Sequence, residues 1–142
     1  MFLLDTNVIS ELRKADDGRA DAGVVKWASQ IPRDSLFTSA IVLMEIEIGI
    51  RLKERKDTAQ GFILRQWMDE HVVPFFDQRT VPIDTAVAMQ CAELHVPDKR
   101  PERDALIAAT AFVHGMALVT RNEKDFEGLD IKIINPWSST IR

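Results

Sequence analysis

Only one of the 142 residues is a cysteine, Cys91, so no disulfide can close within the chain and no cysteine-rich zinc site can be built. Its neighbours Ala88, Met89, Ala92 and Leu94 mark it as a small buried hydrophobe. Histidine is nearly as scarce: His71, His95 and His114 share no ligand spacing and read as surface or helix-end residues. No apolar run approaches the roughly 20 residues of a membrane span. The opening Met1-Phe2-Leu3-Leu4-Asp5 carries no basic leader and is too short in its apolar part for a signal peptide. A cytoplasmic protein with no membrane contact is expected. Excess positive charge is missing too. The formal net charge of -4 excludes a protein that holds nucleic acid by overall charge, because that affinity comes from Lys and Arg neutralising phosphates. Any such contact must be local, at Arg51, Lys53, Arg55 and Lys56, at Lys99, Arg100 and Arg103, or at Arg121 and Lys124. A solvated helix face explains each of those runs as well.

What is present suits one globular domain spanning residues 1–142. At 46% hydrophobic and 28% charged, the chain is long enough to bury a core. Phe2-Leu3-Leu4 reads as a short strand buried on both faces, ended by the turn and helix-start residues Asp5-Thr6-Asn7. A helix over residues 8–13, a polar loop over 15–22 and a short helix over 24–30 follow. Ser35-Leu36-Phe37-Thr38 is a second strand, and Ser39 is placed to cap a helix running past Leu52. The pattern predicts a long helix over 58–76, whose Phe62, Leu64, Trp67, Met68 and Val72 suit core or dimer contacts. Val81-Pro82-Ile83 gives a third strand, at an edge because of its proline. Asp84 or Thr85 caps a helix to about His95; Pro101 opens the next and Gly115 closes it. Residues 116–119 and 131–134 are the fourth and fifth strands, and the tail from Trp137 through Ser138, Ser139 and Thr140 is expected to be loosely held. Short apolar strands alternating with helices indicate an α/β fold with a parallel sheet covered on both faces. Ligands of such folds gather beyond the C-terminal ends of strands, where strand order reverses.

Carboxylates fall at those places. Asp5 ends the first strand, and Glu45 sits on the apolar stripe made by Ile41, Val42, Ile48 and Leu52. Asp104 enters a late helix beside Ile107, Ala108 and Ala111. Each alone has a plain explanation: Asp5 as a helix cap, Glu45 in a buried pair with an arginine, Asp104 as a favourable charge at a helix N-terminus. Together they repel one another, and an oxygen-only group of acids becomes tolerable around a hard divalent cation. Thr120-Arg121-Asn122-Glu123-Lys124-Asp125 adds oxygen groups directly after a strand, with Asn122 or Asp125 able to orient a water or support the ligands. Thr6 and Ser39 are near enough to assist, and serve equally well as caps. The pattern reads as metal-dependent phosphodiester hydrolysis.

The same segments resemble a known family. Phe2-Leu3-Leu4-Asp5-Thr6-Asn7, the run from Thr38 through Glu45 to Ile46, Arg103-Asp104 through Ala111, and Val119-Thr120-Arg121-Asn122-Glu123-Lys124-Asp125-Phe126 are similar to PIN-domain motifs. Their order and spacing over essentially the whole chain resemble the VapC-type toxins of toxin–antitoxin pairs, the FitB-like group above all. The resemblance implies a PIN-like three-layer fold, a central parallel sheet of about five short strands between helices. It also implies a ribonuclease dependent on Mg²⁺, with Mn²⁺ as substitute, that acts as a homodimer, forms a possible higher assembly with antitoxin and is held inactive by a cognate VapB-like antitoxin. Asp5, Glu45 and Asp104 match the acidic, metal-holding core. Asn122 stands where many relatives carry a fourth Asp, a departure that removes one negative charge and that Asp125 can partly offset. Arg103, Arg121 and Lys124 are the candidates for RNA contact, with Thr120 in support, and single-stranded or looped RNA is the expected substrate.

Two rival readings are distinguishable. An aspartyl phosphotransfer protein would also end its first strand in Asp, but the phosphatase motif wants a second Asp where Asn7 stands, and Asp84, the receiver-like alternative, follows an edge-like strand. A non-catalytic module would use the acidic pocket only to bind a basic peptide or a structural cation. Labelling by acetyl phosphate in Mg²⁺ would support the first rival, and loss of cleavage and toxicity in Asp5→Asn or Asp104→Asn with the fold kept separates hydrolysis from the second.

Overall fold

The structure, a computed structural model, describes residues 1–137. Five strands form one all-parallel sheet in the order β3-β2-β1-β4-β5. These are β1 (Phe2–Leu4), β2 (Leu36–Ser39), β3 (Thr80–Val81), β4 (Ala117–Val119) and β5 (Ile133–Ile134). β1 lies at the centre, pairing Leu3 with Phe37 on one side and with Leu118 on the other. Leu3, Leu4, Leu118 and Val119 are at most 1% exposed, which explains why the inner strands read as unbroken apolar runs rather than alternating ones. The chain builds outward from β1 to β3, then returns past β1 to lay down β4 and β5. Strand order therefore reverses between β1 and β4.

The helices flanking this sheet are α1 (Thr6–Leu12), α2 (Ala22–Ser29), α3 (Ala40–Lys56), α4 (Thr58–Trp67), the single turn α5 (Val73–Phe75), α6 (Thr85–Leu94) and α7 (Glu102–His114). Their starts follow the capping chemistry. Ser39 Oγ accepts the Val42 N–H, Asp57 the Gln60 N–H and Asp84 the Val87 N–H, and Gly115 closes α7 at φ 63°. One continuous core joins Val8 and Ile9 of α1, Val42, Ile46 and Ile50 of α3, Ile107 and Ala108 of α7, and the inner strands. Cys91 lies in a smaller cluster with Val87, Ala105 and Ala109, a buried hydrophobe as expected. α3 and α4 form an antiparallel hairpin fastened by a fork: Arg65 donates to Glu47 at 2.7 and 2.8 Å while Arg51 reaches the same carboxylate at 2.6 Å.

Several boundaries differ from the sequence expectations for identifiable reasons. The helix expected over 58–76 runs on, but it widens into a π turn at Met68–Val72, where the Val73 N–H reaches Met68 O. Pro74, lacking an N–H, follows at once, and a widened turn absorbs the missing bond. The third strand is Thr80–Val81 and excludes Pro82, which cannot donate to a ladder; it is an edge strand as expected. β4 starts at Ala117 because the Met116 N–H is used by Ala111 O at the end of α7. The polar stretch after α1 is not all loop, since Arg13–Asp17 form a 3-10 turn that Gly18 ends at φ 75°. Trp137 is the clearest correction to the loosely held tail. Its indole is 4% exposed, packed into the main core with the Arg121 guanidinium 5.2 Å above its ring. Ser138, Ser139 and Thr140 lie outside the described residues.

Candidate active site

The C-terminal ends of β1 and β4 meet at the strand-order reversal, and the chain places Asp5 at one and Thr120 at the other. The Asp5 N–H donates to Val119 O at 2.9 Å, and the Thr120 N–H to Ile134 O at 3.0 Å, so both residues are held by an extension of the sheet ladder. Because α1 begins directly after Asp5, its carboxylate also caps that helix, accepting the Thr6 N–H at 2.8 Å. The other oxygen, Oδ2, accepts the Thr120 hydroxyl at 2.8 Å. Asp5 therefore caps a helix and also sits in the acidic group; the two readings of it are not exclusive.

Thr120 is the hub. Its hydroxyl is fully buried, donates to Asp5, and accepts the Asn122 N–H at 3.1 Å and the Asn7 amide at 3.4 Å. Those three bonds use its single proton and both lone pairs, which fixes the direction in which it donates. Asn7 also accepts the Arg121 N–H at 3.2 Å and so ties the segment after β4 to α1. In the sequence Asn7 reads as a turn residue and part of the opening motif, not as the holder of these long-range bonds. The signal that could have found it is its place two residues after the strand-end acid, on the helix turn facing the neighbouring strand.

Glu45 comes from the second turn of α3. Its Oε1 accepts the Thr6 hydroxyl at 2.6 Å, which links α3 to the start of α1, and its Oε2 lies 3.8 Å from Arg103 Nη1. The arginine pair expected as the plain explanation of Glu45 is thus present, but it is long and its arginine is half exposed. Asp104, in the first turn of α7, is partly buried.

Electrostatics joins the acids into one group. Burial raises the Asp5 carboxyl above its ordinary range, the Thr120 and Thr6 hydrogen bonds oppose that rise, and the charges of Glu45 and Asp125 add to it. Burial likewise raises Asp104, followed by the charges of Asp125, Asp5 and Glu45. Asp125 is therefore the strongest charged neighbour of Asp104, although it is itself exposed on the 3-10 turn Glu123–Phe126. Among the described residues, no three acidic, histidine or cysteine side chains are posed close enough to hold a metal ion as they stand. The acids sense one another without being drawn together. An all-oxygen set of this kind fits a hard cation such as Mg²⁺ or Mn²⁺ by donor chemistry, and closure of the helix-borne side chains on Asp5 would be part of binding.

The remaining sequence candidates are distributed as follows. Ser39 is buried and spends its hydroxyl on the α3 cap, apart from the hydrogen-bonded group around Asp5. Asn122 is exposed and takes part through its backbone N–H. Arg103 borders the acids, Arg121 is engaged by Trp137, and Lys124 is exposed beside Asp125. His71, His95 and His114 do not join the group, and Cys91, its thiol pushed up by burial, meets His95 Nε2 at 3.8 Å.

A parallel α/β sheet whose reversal point brings together acids from the end of β1, the opening turns of α3 and α7 and the turn after β4 defines a class of protein with a polar site at the carboxyl edge of its sheet. The PIN domain pattern matches residues 2–132, and the chain belongs to the PIN-domain family. It is similar to the VapC ribonuclease Y4jK of Sinorhizobium fredii, with 34% identity over 96% of this chain and 98% of that one. The structure of FitAcB from Neisseria gonorrhoeae superposes with a TM-score of 0.86 at 29% identity, over 97% of this chain and 99% of the other. A toxin–antitoxin complex from Klebsiella pneumoniae gives 0.65 at 26% identity, over 96% and 98%. The expected PIN-like fold with a five-stranded parallel sheet is what the chain adopts.

Proposed function

We propose that this chain, acting as one PIN domain, is a divalent-metal-dependent endoribonuclease toxin, neutralised by a cognate VapB-like antitoxin and working as a cytoplasmic homodimer. The observation that carries the reading is the convergence of acids at the β1/β4 reversal: Asp5 is held by Thr120 and the Thr6 N–H, Glu45 is tied to the same Thr6 through its hydroxyl, and the charges of Asp5, Glu45 and Asp125 act on Asp104. The likeness over nearly full length to a VapC ribonuclease supports it. Asp5, Asp104 and Glu45 would hold the ion, Mg²⁺ or its substitute Mn²⁺, with Asp125 rather than Asn122 as the fourth acid. Such an ion supplies Lewis-acid neutralisation of a phosphate oxygen and acidifies water.

The chain's own residues do the rest. Thr120 and the start of α1 hold both oxygens of Asp5 in one orientation, so the buried carboxylate does not have to be ordered when an ion arrives. Thr6 does the same for one oxygen of Glu45 and leaves the other free to exchange its distant arginine. Uncompensated acids repel a phosphate backbone, so the exposed rim cations Arg121 and Lys124 carry the first attraction, with Arg103 as a further phosphate contact. Splayed bases of single-stranded or looped RNA suit such a local, exposed site.

Cleavage of a mixed structured RNA pool by purified protein in Mg²⁺, Mn²⁺ or EDTA, beside the Asp5→Asn variant, tests the proposal. Asn keeps the helix cap, so the variant should fold, and metal-dependent cleavage should vanish with it. Equal cleavage by both proteins, or cleavage that persists in EDTA, would remove the proposed mechanism. The acids are not posed within sharing distance, and that favours one alternative, a pocket that only binds a basic side chain. That alternative requires no cleavage of any RNA and undiminished partner binding.

A further inference from the structure

Among the described residues, Arg103 is the one Lys or Arg side chain within 4.0 Å of any of the four acids. Its approach to Glu45 Oε2, 3.8 Å, is longer than a hydrogen bond, and its side chain is 50% exposed against 21% for Glu45. An exposed pair of that length contributes little stability and breaks easily. Glu45 is anchored independently through its other oxygen by Thr6, so losing Arg103 would not release the carboxylate. Arg103 also adjoins Asp104 in sequence on the first turn of α7. A cation entering among Asp5, Glu45 and Asp104 would meet Arg103 as a like charge.

From this geometry we infer that Arg103 is an exchangeable counter-ion. It is paired with Glu45 while the acids lack a metal, and it is expelled by the ion to become a phosphate contact once the site is loaded. The inference rests on the metal-dependent reading above and adds an order of events: RNA affinity through this residue depends on prior occupancy of the cation site. The same guanidinium serves two partners in turn, which prevents the empty cleft from capturing RNA through it.

Two binding measurements test this without relying on turnover. Mn²⁺ binding, followed by the loss of the free-ion EPR signal, should tighten about 3–10-fold in Arg103→Gln, the scale expected for removing one competing charge a few ångströms away in a partly screened cleft. It should be unchanged in Lys132→Gln, at the opposite end of the sheet. Binding of a nuclease-resistant 2′-O-methyl RNA 12-mer should lose about 0.7 from its log–log salt slope in Arg103→Gln when Mn²⁺ is present, the value for one phosphate on a single strand, and none in EDTA. Glu45→Gln, which frees Arg103, should raise the slope in EDTA. Normal Mn²⁺ binding with Arg103→Gln indistinguishable from Lys132→Gln, or an equal loss of slope with and without Mn²⁺, would overturn the counter-ion role alone. Failure of the wild-type protein to bind Mn²⁺ would overturn the metal-dependent reading and the inference with it.

Discussion

Replacing Thr120 by valine removes one hydroxyl from a fully buried position while keeping the shape of the side chain. The 2.8 Å bond lost ends on Oδ2 of Asp5, an oxygen with no other protein donor among the described residues. A hydrogen bond to a charged group contributes about 1.5–3 kcal/mol net. The Asn122 N–H and the Asn7 amide also lose their acceptor, but Asn122 is exposed, where water can replace its bond, and the Asn7 bond is long at 3.4 Å. A loss of about 2–3 kcal/mol at neutral pH follows, and for a chain of this size it lowers the thermal midpoint by about 7–10 °C. The cost should depend on pH. Burial already raises the Asp5 carboxyl in the folded state, so its ionised form disfavours folding and stability falls as pH rises through that folded value. Removing a bond that favours the ionised form raises the folded value further. The variant's deficit should therefore be largest at pH 7–8 and shrink towards pH 3, below the ordinary carboxylate range, as the raised Asp5 carboxyl takes up its proton. Urea unfolding in EDTA at both pH values measures it, with Thr120→Ser as the control that keeps the hydroxyl and loses one methyl, at about 1 kcal/mol. A Thr120→Val deficit no greater than that of Thr120→Ser, or one equal at the two pH values, would refute the hub assignment.

Other expectations can be checked on the same protein. Arg65 and Arg51 hold the Glu47 carboxyl down to about 2, so this fork stabilises the α3–α4 hairpin above the ordinary carboxylate range and the gain is lost as pH falls towards 2. Glu47→Gln should cost about 1–2 kcal/mol in urea unfolding at pH 7 and almost nothing at pH 2. A Cβ on Gly61 would sit 2.6 Å from Glu54 Cα, so Gly61→Ala should destabilise by about 1–3 kcal/mol despite alanine's better helix propensity; a raised midpoint would show that the hairpin yields. Asp104 is raised by burial and by its acidic neighbours, so its charge opposes folding above its folded value. Asp104→Asn should raise the thermal midpoint at pH 7.5 in EDTA and lose that advantage at pH 3, and saturating Mn²⁺ should reverse the order of the two proteins.

How much of this was legible in the sequence depends on the range of the interaction responsible. The order of strands and helices was readable because Phe2-Leu3-Leu4 and Leu118-Val119 are unbroken apolar runs and Ser39, Asp84 and Gly115 are local caps. The nearness of Asp5, Glu45 and Asp104 was readable because Asp5 ends a strand of a parallel sheet, while Glu45 and Asp104 lie in the opening turns of helices, on the sides that carry their apolar residues. The Thr120–Asp5 bond, with 115 residues between partners, depends on β4 lying beside β1, and nothing near either residue announces it. Asn7 was missed for the same reason, since its partners are 113 and 114 residues away. Trp137 was misread because polar neighbours suggest a loose tail, whereas its burial is decided by the distant Arg121 and the sheet edge. The π turn before Pro74 was hidden because only Val73–Phe75 follow it as helix, too short a stretch for the shifted phase to show in the spacing of apolar residues.

On the proposed reading, acids not within ligand distance of one another act as a single cation site, with Asp125 serving as the fourth acid in place of Asn122. Titration of Mn²⁺ into the metal-free protein, read by EPR, tests it directly with Asp5→Asn, Asp104→Asn, Asp125→Asn and Asn122→Ala alongside the wild type. Saturable binding by the wild type should be lost in the first two variants, weakened in the third and close to unchanged in the fourth, all with the fold intact. Equal Mn²⁺ binding by wild type, Asp5→Asn and Asp104→Asn, or dependence on Asn122 in place of Asp125, would contradict it.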